Sequence, residues 1–269
     1  MDLTRAAVHS IANQVSKANP VIVGDKYKSF ENVLQNFPNS LMTGQQFLYK
    51  WATILLAENT CFLIPIYEDR TGGKIIGIQP VGRNGAEIRR VDGVDYLIYE
   101  VNVGGQKRKQ SIELDRVGIT RNHYYTSDYF GESNGALNAT MELLNVQNQG
   151  IIEGVKNSNT IRFMMKLANV IATPEKFKEE RDRIREINMN AANNGGIFVY
   201  DGKYAEAKQI DSKPMVVDAD QAKLVAQNVF TYFGINEAFV QNKFTETEWD
   251  AIYEGRIEPL LIQLSLVVS

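Results

Sequence analysis

The side chains able to act on a substrate are few. Cys61 is the only thiol, and His9 and His123 are the only imidazoles, among 269 residues. A thiol becomes a useful nucleophile when a base sits beside it, so Cys61 with His9 or His123 is the pair to weigh. Cys61 lies inside the apolar run Thr60-Cys61-Phe62-Leu63-Ile64, where cysteine ordinarily behaves as a small buried hydrophobe. His123 falls in Arg121-Asn122-His123-Tyr124-Tyr125, a polar and aromatic loop in which a hydrogen-bonded or exposed imidazole is the plainer expectation. Carboxylates are the other resource. Asp69, Asp218 and Asp220 could serve acid–base or metal chemistry, but Asp218 and Asp220 stand where a helix is predicted to open. Capping and the helix dipole favour carboxylates there without any catalysis. Gly73-Lys74 fails as a phosphate loop, because the position five residues before Gly73 is Glu68 rather than glycine. The glycine pairs read as tight turns, and none lies between a parallel-type strand and a helix as a dinucleotide fingerprint requires. No catalytic constellation emerges. The reading is non-enzymatic, with no cofactor and no metal.

Charge narrows the possible partners. Lys and Arg total 29 against 32 Asp and Glu, a formal net charge of −3. Proteins that grip nucleic acid by neutralising phosphates usually carry a clear positive excess, so tight static DNA binding is disfavoured. Two local features stand out. Arg83, Arg89 and Arg90 with Lys107, Arg108 and Lys109 form a modest basic cluster on predicted strands, equally consistent with solvated outer positions. The run 176–186 mixes both signs, and Lys176, Lys178, Glu179, Arg183 and Glu186 make it either a solvated face or a docking surface for a partner.

The elements that must position these residues alternate in type. Residues 2–15 suit a helix with Leu3, Ala7, Ile11 and Val15 on one side. Thr43 and Gln46 form a capping-box pattern ahead of a helix whose face carries Phe47, Trp51, Ile54 and Leu55. Over 60–121 the period becomes that of strands: TCFLIPIYE, KIIGIQPV, AEIRRV, DYLIYEV and RKQSIEL. Asp92-Gly93 and Gly104-Gly105 are hairpin signals between them. This stretch is predicted as one antiparallel meander, with Pro65 marking an edge strand.

A long helix is predicted over 135–157, with Leu137, Met141, Leu144, Ile151 and Val155 on its apolar side. The strand TIRFMMKLA follows. A charged helix then opens at Thr173-Pro174-Glu175, with only Phe177, Ile184, Ile187 and Ala191 as an apolar stripe. GIFVYDG and YAEAKQI suggest a hairpin about Asp201-Gly202. Asp218 with Gln221, and Thr245 with Glu248, resemble caps of two further helices, and Pro259 is expected to kink or divide the last one. The fold class is α+β.

With 44% apolar and 23% charged residues the composition suits a packed globular chain rather than a disordered one. The single cysteine excludes an internal disulfide and fits a reducing compartment. No apolar run approaches the roughly 18 residues of a membrane helix, and MDLTRAAVHS lacks a signal-peptide pattern. A soluble, intracellularly made protein is expected. The apolar pattern of LLIQLSLVVS runs to the last residue, as though the architecture continued.

In order, these segments resemble the portal proteins of tailed double-stranded DNA phages. The resemblance covers nearly the whole chain and rests on several short motifs. One block runs FENVLQNFPNSLMTGQQFLYKWATILLAENTCFLIPIYEDRTGGKIIGIQPV. It holds Pro38-Asn39, the threonine-led helix Thr43-Gly44-Gln45-Gln46-Phe47, the turn Asp69-Arg70-Thr71-Gly72 and the element Ile78-Gln79-Pro80. Another is AQNVFTYFGINEAFV, with Phe233-Gly234-Ile235 but Asn236 where the family carries proline. The last is the helix from Trp249 to Pro259. The resemblance implies a ring of, most often, twelve subunits at a capsid vertex in the virion, made in the host cytoplasm. The ring would pass double-stranded DNA without gripping it. Its partners would be copies of itself, the terminase large subunit, capsid and scaffolding proteins and a head–tail adaptor.

By order along the chain, 1–134 corresponds to a wing, 135–157 to a stem helix, and 158–212 to a clip insert. Residues 213–235 correspond to a returning stem helix, 236–247 to a tunnel loop, and 248–269 to a wing and crown helix cut short. Asn236, Gln241, Asn242 and Lys243 are then the DNA-facing candidates, and Lys176, Lys178, Glu179, Arg183 and Glu186 the motor-docking candidates. Two other readings predict different geometry. A different phage capsid or connector component would lack the channel. A carboxylate- or metal-dependent hydrolase would gather acidic groups such as Asp69, Asp218 and Asp220 in one cleft.

Overall fold

The structure, a computed structural model, describes residues 3–24, 28–69, 73–103, 105–158, 162–167, 173–188, 204–210 and 219–269. It divides into two units, Met1–Asn145 with Ala219–Ser269, and Val146–Asp218.

In the first unit, helix α1 (Leu3–Val15) fully buries Ala7, Ile11 and Val15, the side chosen by the helical spacing. A short helix α2 (Lys28–Gln35) follows. Helix α3 (Gly44–Glu58) opens on a reciprocal cap: the Gln46 N–H donates to Thr43 Oγ1 at 3.3 Å, and the Thr43 N–H donates to Gln46 Oε1 at 3.0 Å. Phe47, Trp51 and Leu55 are buried against α1, while Ile54 is half-buried at the margin. Asn59 ends α3 in the left-handed region at φ 54°, a conformation that asparagine tolerates better than most residues.

The strand region is not one meander. Strands β1 (Thr60–Tyr67), β2 (Ile75–Gly82), β3 (Ala86–Val91), β4 (Val94–Val103), β5 (Gln106–Glu113) and β6 (Gly118–Arg121) form two three-stranded sheets, ordered β2-β1-β6 and β3-β4-β5. Only the second is a meander. Asp92 and Gly93, both at positive φ, make its first hairpin turn. The sequence missed the break because β6, merely Gly-Ile-Thr-Arg, is too short to show a period, yet it returns to pair Thr60↔Arg121 through Leu63↔Gly118. Strand β1 is therefore central rather than an edge. Pro65 lies just past the end of that pairing, where one side of β1 is open and a residue without an N–H is tolerated.

Strand β1 is buried on both faces. Phe62 and Ile64 join Leu97 and Val117 in a core between the sheets, while Cys61 and Leu63 join the helical core of α1 and α3. Such a strand must be apolar throughout rather than alternating, which is why its sequence reads as an unbroken run.

In the second unit, strands β7 (Arg162–Leu167) and β8 (Tyr204–Ile210) pair antiparallel from Arg162↔Ile210 to Leu167↔Tyr204. Strand β8 is the YAEAKQI expected from the sequence; the GIFVYDG expected to form a hairpin with it, Ala191 and the Asp201-Gly202 turn lie outside the described residues. The long helix is α4 (Asn138–Ser158), preceded by a 3-10 turn at Asn134–Leu137, and the unit boundary falls within it. The charged helix is α5 (Pro174–Asn188).

The chain then returns to the first unit through α6 (Ala219–Tyr232), whose Val225, Val229 and Phe230 are buried and which packs on α1. Helices α7 (Glu237–Val240), α8 (Glu246–Ile252) and α9 (Glu258–Val268) follow. Pro259 divides the last two: a π turn, Tyr253–Ile257, precedes it, and the proline sits in the first turn of α9, where its missing N–H costs little.

Loop 122–134 is fastened to the α3–β1 junction. The Asn122 N–H donates to the Asn59 carbonyl at 3.0 Å, the Gly131 N–H donates to Thr60 Oγ1 at 2.9 Å, and Trp51 Nε1 donates to Thr120 Oγ1 at 2.9 Å. A Cβ on Gly131 would lie 2.1 Å from the Asn122 carbonyl oxygen and 2.2 Å from that of Asn59. Gly131→Ala should therefore lower stability by about 3 kcal/mol, the cost of overpacking a site that only backbone movement can relieve. Gly150→Ala, in α4 with nothing within 4 Å of the new methyl, should be neutral or stabilising by up to about 1 kcal/mol. Denaturant titrations of both variants, read by tryptophan fluorescence, check the opposite signs.

Candidate functional site

The segment 236–247, expected as a tunnel-like loop, holds the short helix α7 and the start of α8. Gly234, at φ 72°, ends α6: its N–H donates to the Thr231 carbonyl and the Ile235 N–H to the Phe230 carbonyl, both at 3.0 Å. Ile235 and Phe230 are buried, the apolar contact that usually accompanies this helix ending. Asn236 then caps α7, accepting from the Phe239 N–H at 2.8 Å and donating to Glu248 Oε1 at 3.0 Å. Where the resembling family carries proline, asparagine rigidifies the turn by hydrogen bonding instead. Helix α7 ends on a second left-handed residue, Asn242 at φ 55°, with the Lys243 N–H donating to the Ala238 carbonyl at 2.8 Å. Phe239 is buried, Trp249 stacks on Phe244 with centroids 5.6 Å apart, and Tyr253 lies 5.8 Å from Trp249. These rings hold the turn against α8.

Of the four candidate side chains here, Gln241, Asn242 and Lys243 are exposed together past the end of α7. Asn236 is half-buried behind them, occupied in capping. The Glu248 carboxylate accepts from the Thr245 N–H at 2.8 Å and from Asn236. Those bonds, the Thr245 backbone first, hold its pKa below the ordinary 4.5.

Lys176, Lys178, Glu179, Arg183 and Glu186 are all exposed on α5, with Arg183 bridging to Glu180 at 2.7 Å. Phe177 and Ile187 of the predicted apolar stripe are also exposed, at 57% and 58%. The helix thus offers an amphipathic surface, charged with apolar points.

The basic residues on and beside the strands divide between paired and solvated positions. Arg83 donates to the Gly131 carbonyl at 3.0 Å and lies over the Phe130 ring. Arg90 grips Asp95 through two hydrogen bonds of 2.7 and 2.8 Å, and Arg90 first, then Tyr129, holds the Asp95 carboxyl low. Arg89, Lys107, Arg108 and Lys109 remain exposed; Arg89 pairs with Glu87, and Lys107 with Glu100.

The enzyme candidates are dispersed. Cys61 is fully buried, and burial pushes its thiol pKa up, the opposite of an activated nucleophile. His9 meets Tyr49 Oη at 2.8 Å. His123 lies tilted against the Tyr232 ring with centroids 5.4 Å apart, and burial first, then the Arg256 charge, lowers its pKa. Asp69 accepts from the Gly73 N–H in the β1–β2 turn, Asp220 lies in the first turn of α6, and Asp218 is outside the described residues. Among the described residues no three His, Cys, Asp or Glu side chains are placed to share a cation.

What sequence reasoning missed is a polar knot. Asn59 Nδ2 donates to Asn134 Oδ1 at 2.6 Å, Tyr232 Oη donates to the same oxygen at 2.8 Å, and Asn122 Nδ2 donates to Asn59 Oδ1 at 3.1 Å. It binds α6 to the α3–β1 junction. Only Asn59, standing after a helix and before a strand, carried a local signal, that of a left-handed cap.

The turn's stiffness is testable. Asn236→Ala removes the cap of α7 and a partner of Glu248, and should cost about 1 kcal/mol. Because Glu248 is shifted downward, its contribution is present above 4.5 and is lost as pH falls through its lowered value. Proteolysis within 236–247 should therefore accelerate in the variant and, for the parent, as pH falls below the ordinary carboxylate value and Glu248 takes up its proton.

Comparison with known proteins places this architecture. No curated protein matches the chain by sequence. Solved structures do match in fold. A chain in the neck of an empty gene transfer agent particle, computed with C6 symmetry, superposes with TM-score 0.65 at 16% identity, over 100% of this chain and 76% of that one. A chain of the native particle's virion gives 0.63 at 17%, over 98% and 78%. An HK97-family phage portal protein from Corynebacterium diphtheriae gives 0.58 at 14%, over 99% and 86%. The family model for phage portal proteins matches residues 3–269. The chain belongs to the phage portal protein family.

Proposed function

We propose that this protein is the repeating subunit of a portal ring at one capsid vertex of a virion. The ring is a conduit for double-stranded DNA in packaging and ejection and a docking site for the terminase motor. It is assembled in the host cytoplasm with capsid and scaffolding proteins and later joined by a head–tail adaptor. The observation that carries this reading is α4. Leu143, Val146, Ile151 and Ile152 are 50%, 59%, 45% and 53% exposed along that one helix. A helix apolar on more than one side is built to be covered, and in a ring each copy covers its neighbour's. The neck structures that share this fold were computed with C6 and C12 symmetry.

On this reading 1–134 is the wing, α4 and α6 are stem helices, 158–212 is the clip, and the turn at 236–247 faces the DNA. Helix α5, in the clip, presents Lys176, Lys178, Glu179, Arg183 and Glu186 to the motor. Chemistry on the nucleotide belongs to that motor. The net charge of −3 suits a channel that must not brake its cargo, because each phosphate contact adds affinity and salt dependence.

Electron microscopy of the purified full chain, with mass photometry, tests the assembly. Closed rings with a hole wide enough for duplex DNA are expected. A species that stays monomeric at high concentration would overturn the proposal. Val146→Asp with Ile152→Asp, both on exposed sites, should block ring closure while leaving the unfolding midpoint of the subunit unchanged.

A further inference from the structure

Arginines drawn into this fold find acceptors. Arg83 donates to the Gly131 carbonyl, Arg90 grips Asp95, and Arg121 donates to the Asp128 carbonyl. Arg256 does not. Its Nε and Nη2 are both fully buried and hydrogen-bond to no group among the described residues. These two N–H groups form one edge of the planar guanidinium, the edge that takes two oxygens of an oxyanion side by side. Burying a charge with its donors unmet is costly, so this edge calls for an acceptor.

Three elements meet around it. Arg256 sits in the π turn Tyr253–Ile257, a departure from regular helix that recurs frequently at functional sites. Its Cδ lies 3.5 Å from where a Cβ on Gly234 would stand, at the left-handed end of α6. Tyr232, in the last turn of α6, and His123, on loop 122–134, bring their rings together within reach of its charge. No carboxylate among the described residues pairs with the guanidinium. The residue as a whole is only half-buried, so solvent reaches its outer side.

We propose that the Nε–Nη2 edge of Arg256 binds a phosphate-type oxyanion. The His123 imidazole can donate from a second direction, so a tetrahedral anion, with an oxygen to spare, fits better than a planar carboxylate. Free phosphate is the source that suits the burial. The phosphates of a stiff duplex stay at the protein surface, whereas a free ion can enter to the depth of Nε. Once seated, the anion ties the π turn, loop 122–134 and the end of α6 together. Gly234 leads directly into the segment 236–247, so the site also governs how stiff that segment is. One subunit suffices for it, whether or not rings close.

Thermal unfolding of the full chain in inorganic phosphate, against chloride at equal ionic strength, tests the site. The midpoint should rise by roughly 2–5 °C and level off at phosphate concentrations on the order of 1 mM. Proteolysis within 236–247 should slow over the same range. Phosphate also strengthens folded states generally by exclusion from their surface, and two variants subtract that effect. Arg256→Met has no donor, and Arg256→Lys keeps the charge without the two-pronged edge. Both should lose the saturable rise, and Arg256→Met should be at least as stable as the parent in chloride, where an unmet edge is a liability. A short DNA duplex at the same phosphate concentration should give no rise that Arg256→Met removes. Should Arg256→Met fail to fold, the parent titration and Arg256→Lys decide the matter alone. A parent without a saturable rise, or a rise equal in parent and variants, would reduce Arg256 to packing and overturn the site. A rise produced by the duplex and not by free phosphate would overturn it as well.

Discussion

The constraint on which the rest depends is the burial of β1 on both faces. Cys61 and Leu63 complete the helical core, while Phe62 and Ile64 complete the core between the sheets. One eight-residue strand thereby joins parts of the chain that are far apart in sequence: α1 and α3 before it, β3 to β5 after it, and α6 and α9 near the end. Neither face can slip, because a shift of one residue would exchange the two sets of side chains between cores. The start of the strand is pinned where it leaves α3. Asn59, Thr60 and Thr120 are fully buried polar residues. Each is satisfied, through Asn134, the Gly131 N–H and Trp51 respectively, so the junction bears polar burial that unpartnered groups could not.

How much of this was legible follows from which forces act locally. The caps at Thr43 and Thr245, the buried side of α1, the Asp92-Gly93 turn and the division at Pro259 were all readable, because each is decided by residues within a turn or two. The break between the sheets was not. Strand β6 holds four residues, and what makes it a strand is the edge of β1, some sixty positions upstream. The turn at 236–247 was half-readable: Asn236 in place of proline was visible, but that it caps a helix held by Phe239, Phe244 and Trp249 emerges only from packing. Of the two readings open for the basic residues, solvated outer positions suit Arg89, Lys107, Arg108 and Lys109, while the partners of Arg83, the Gly131 carbonyl and the Phe130 ring, lie on a distant loop.

With both cores closed, what remains uncovered becomes informative. Single exposed aliphatic residues are ordinary on any surface, and Val91 or Val94 at a hairpin end ask for no explanation. Grouping is different. Leu143, Val146, Ile151 and Ile152 share one helix, Ile262 and Leu266 share another, and Phe37, Leu41 and Ile76 share one groove. Apolar surface concentrated on regular elements marks association, and its separation into distinct patches favours contacts between unlike surfaces.

Symmetry sharpens the argument about charge. In a subunit that acts alone, one exposed lysine such as Lys243 contributes little. On the proposed ring, with the C12 symmetry of one related neck structure, the same lysine would recur on every copy and would give the lumen a belt of on the order of ten positive charges facing phosphate. Each engaged phosphate steepens the salt dependence of binding by nearly one unit. Two or three such lysines per copy would thus turn a guide into a clamp. Four other cations are paired: Arg90 with Asp95, Arg83 with the Gly131 carbonyl, and Arg89 and Lys107 with acidic neighbours. On the proposed ring, a near-neutral composition with a single lysine on a stiff turn keeps DNA centred while leaving it free to move.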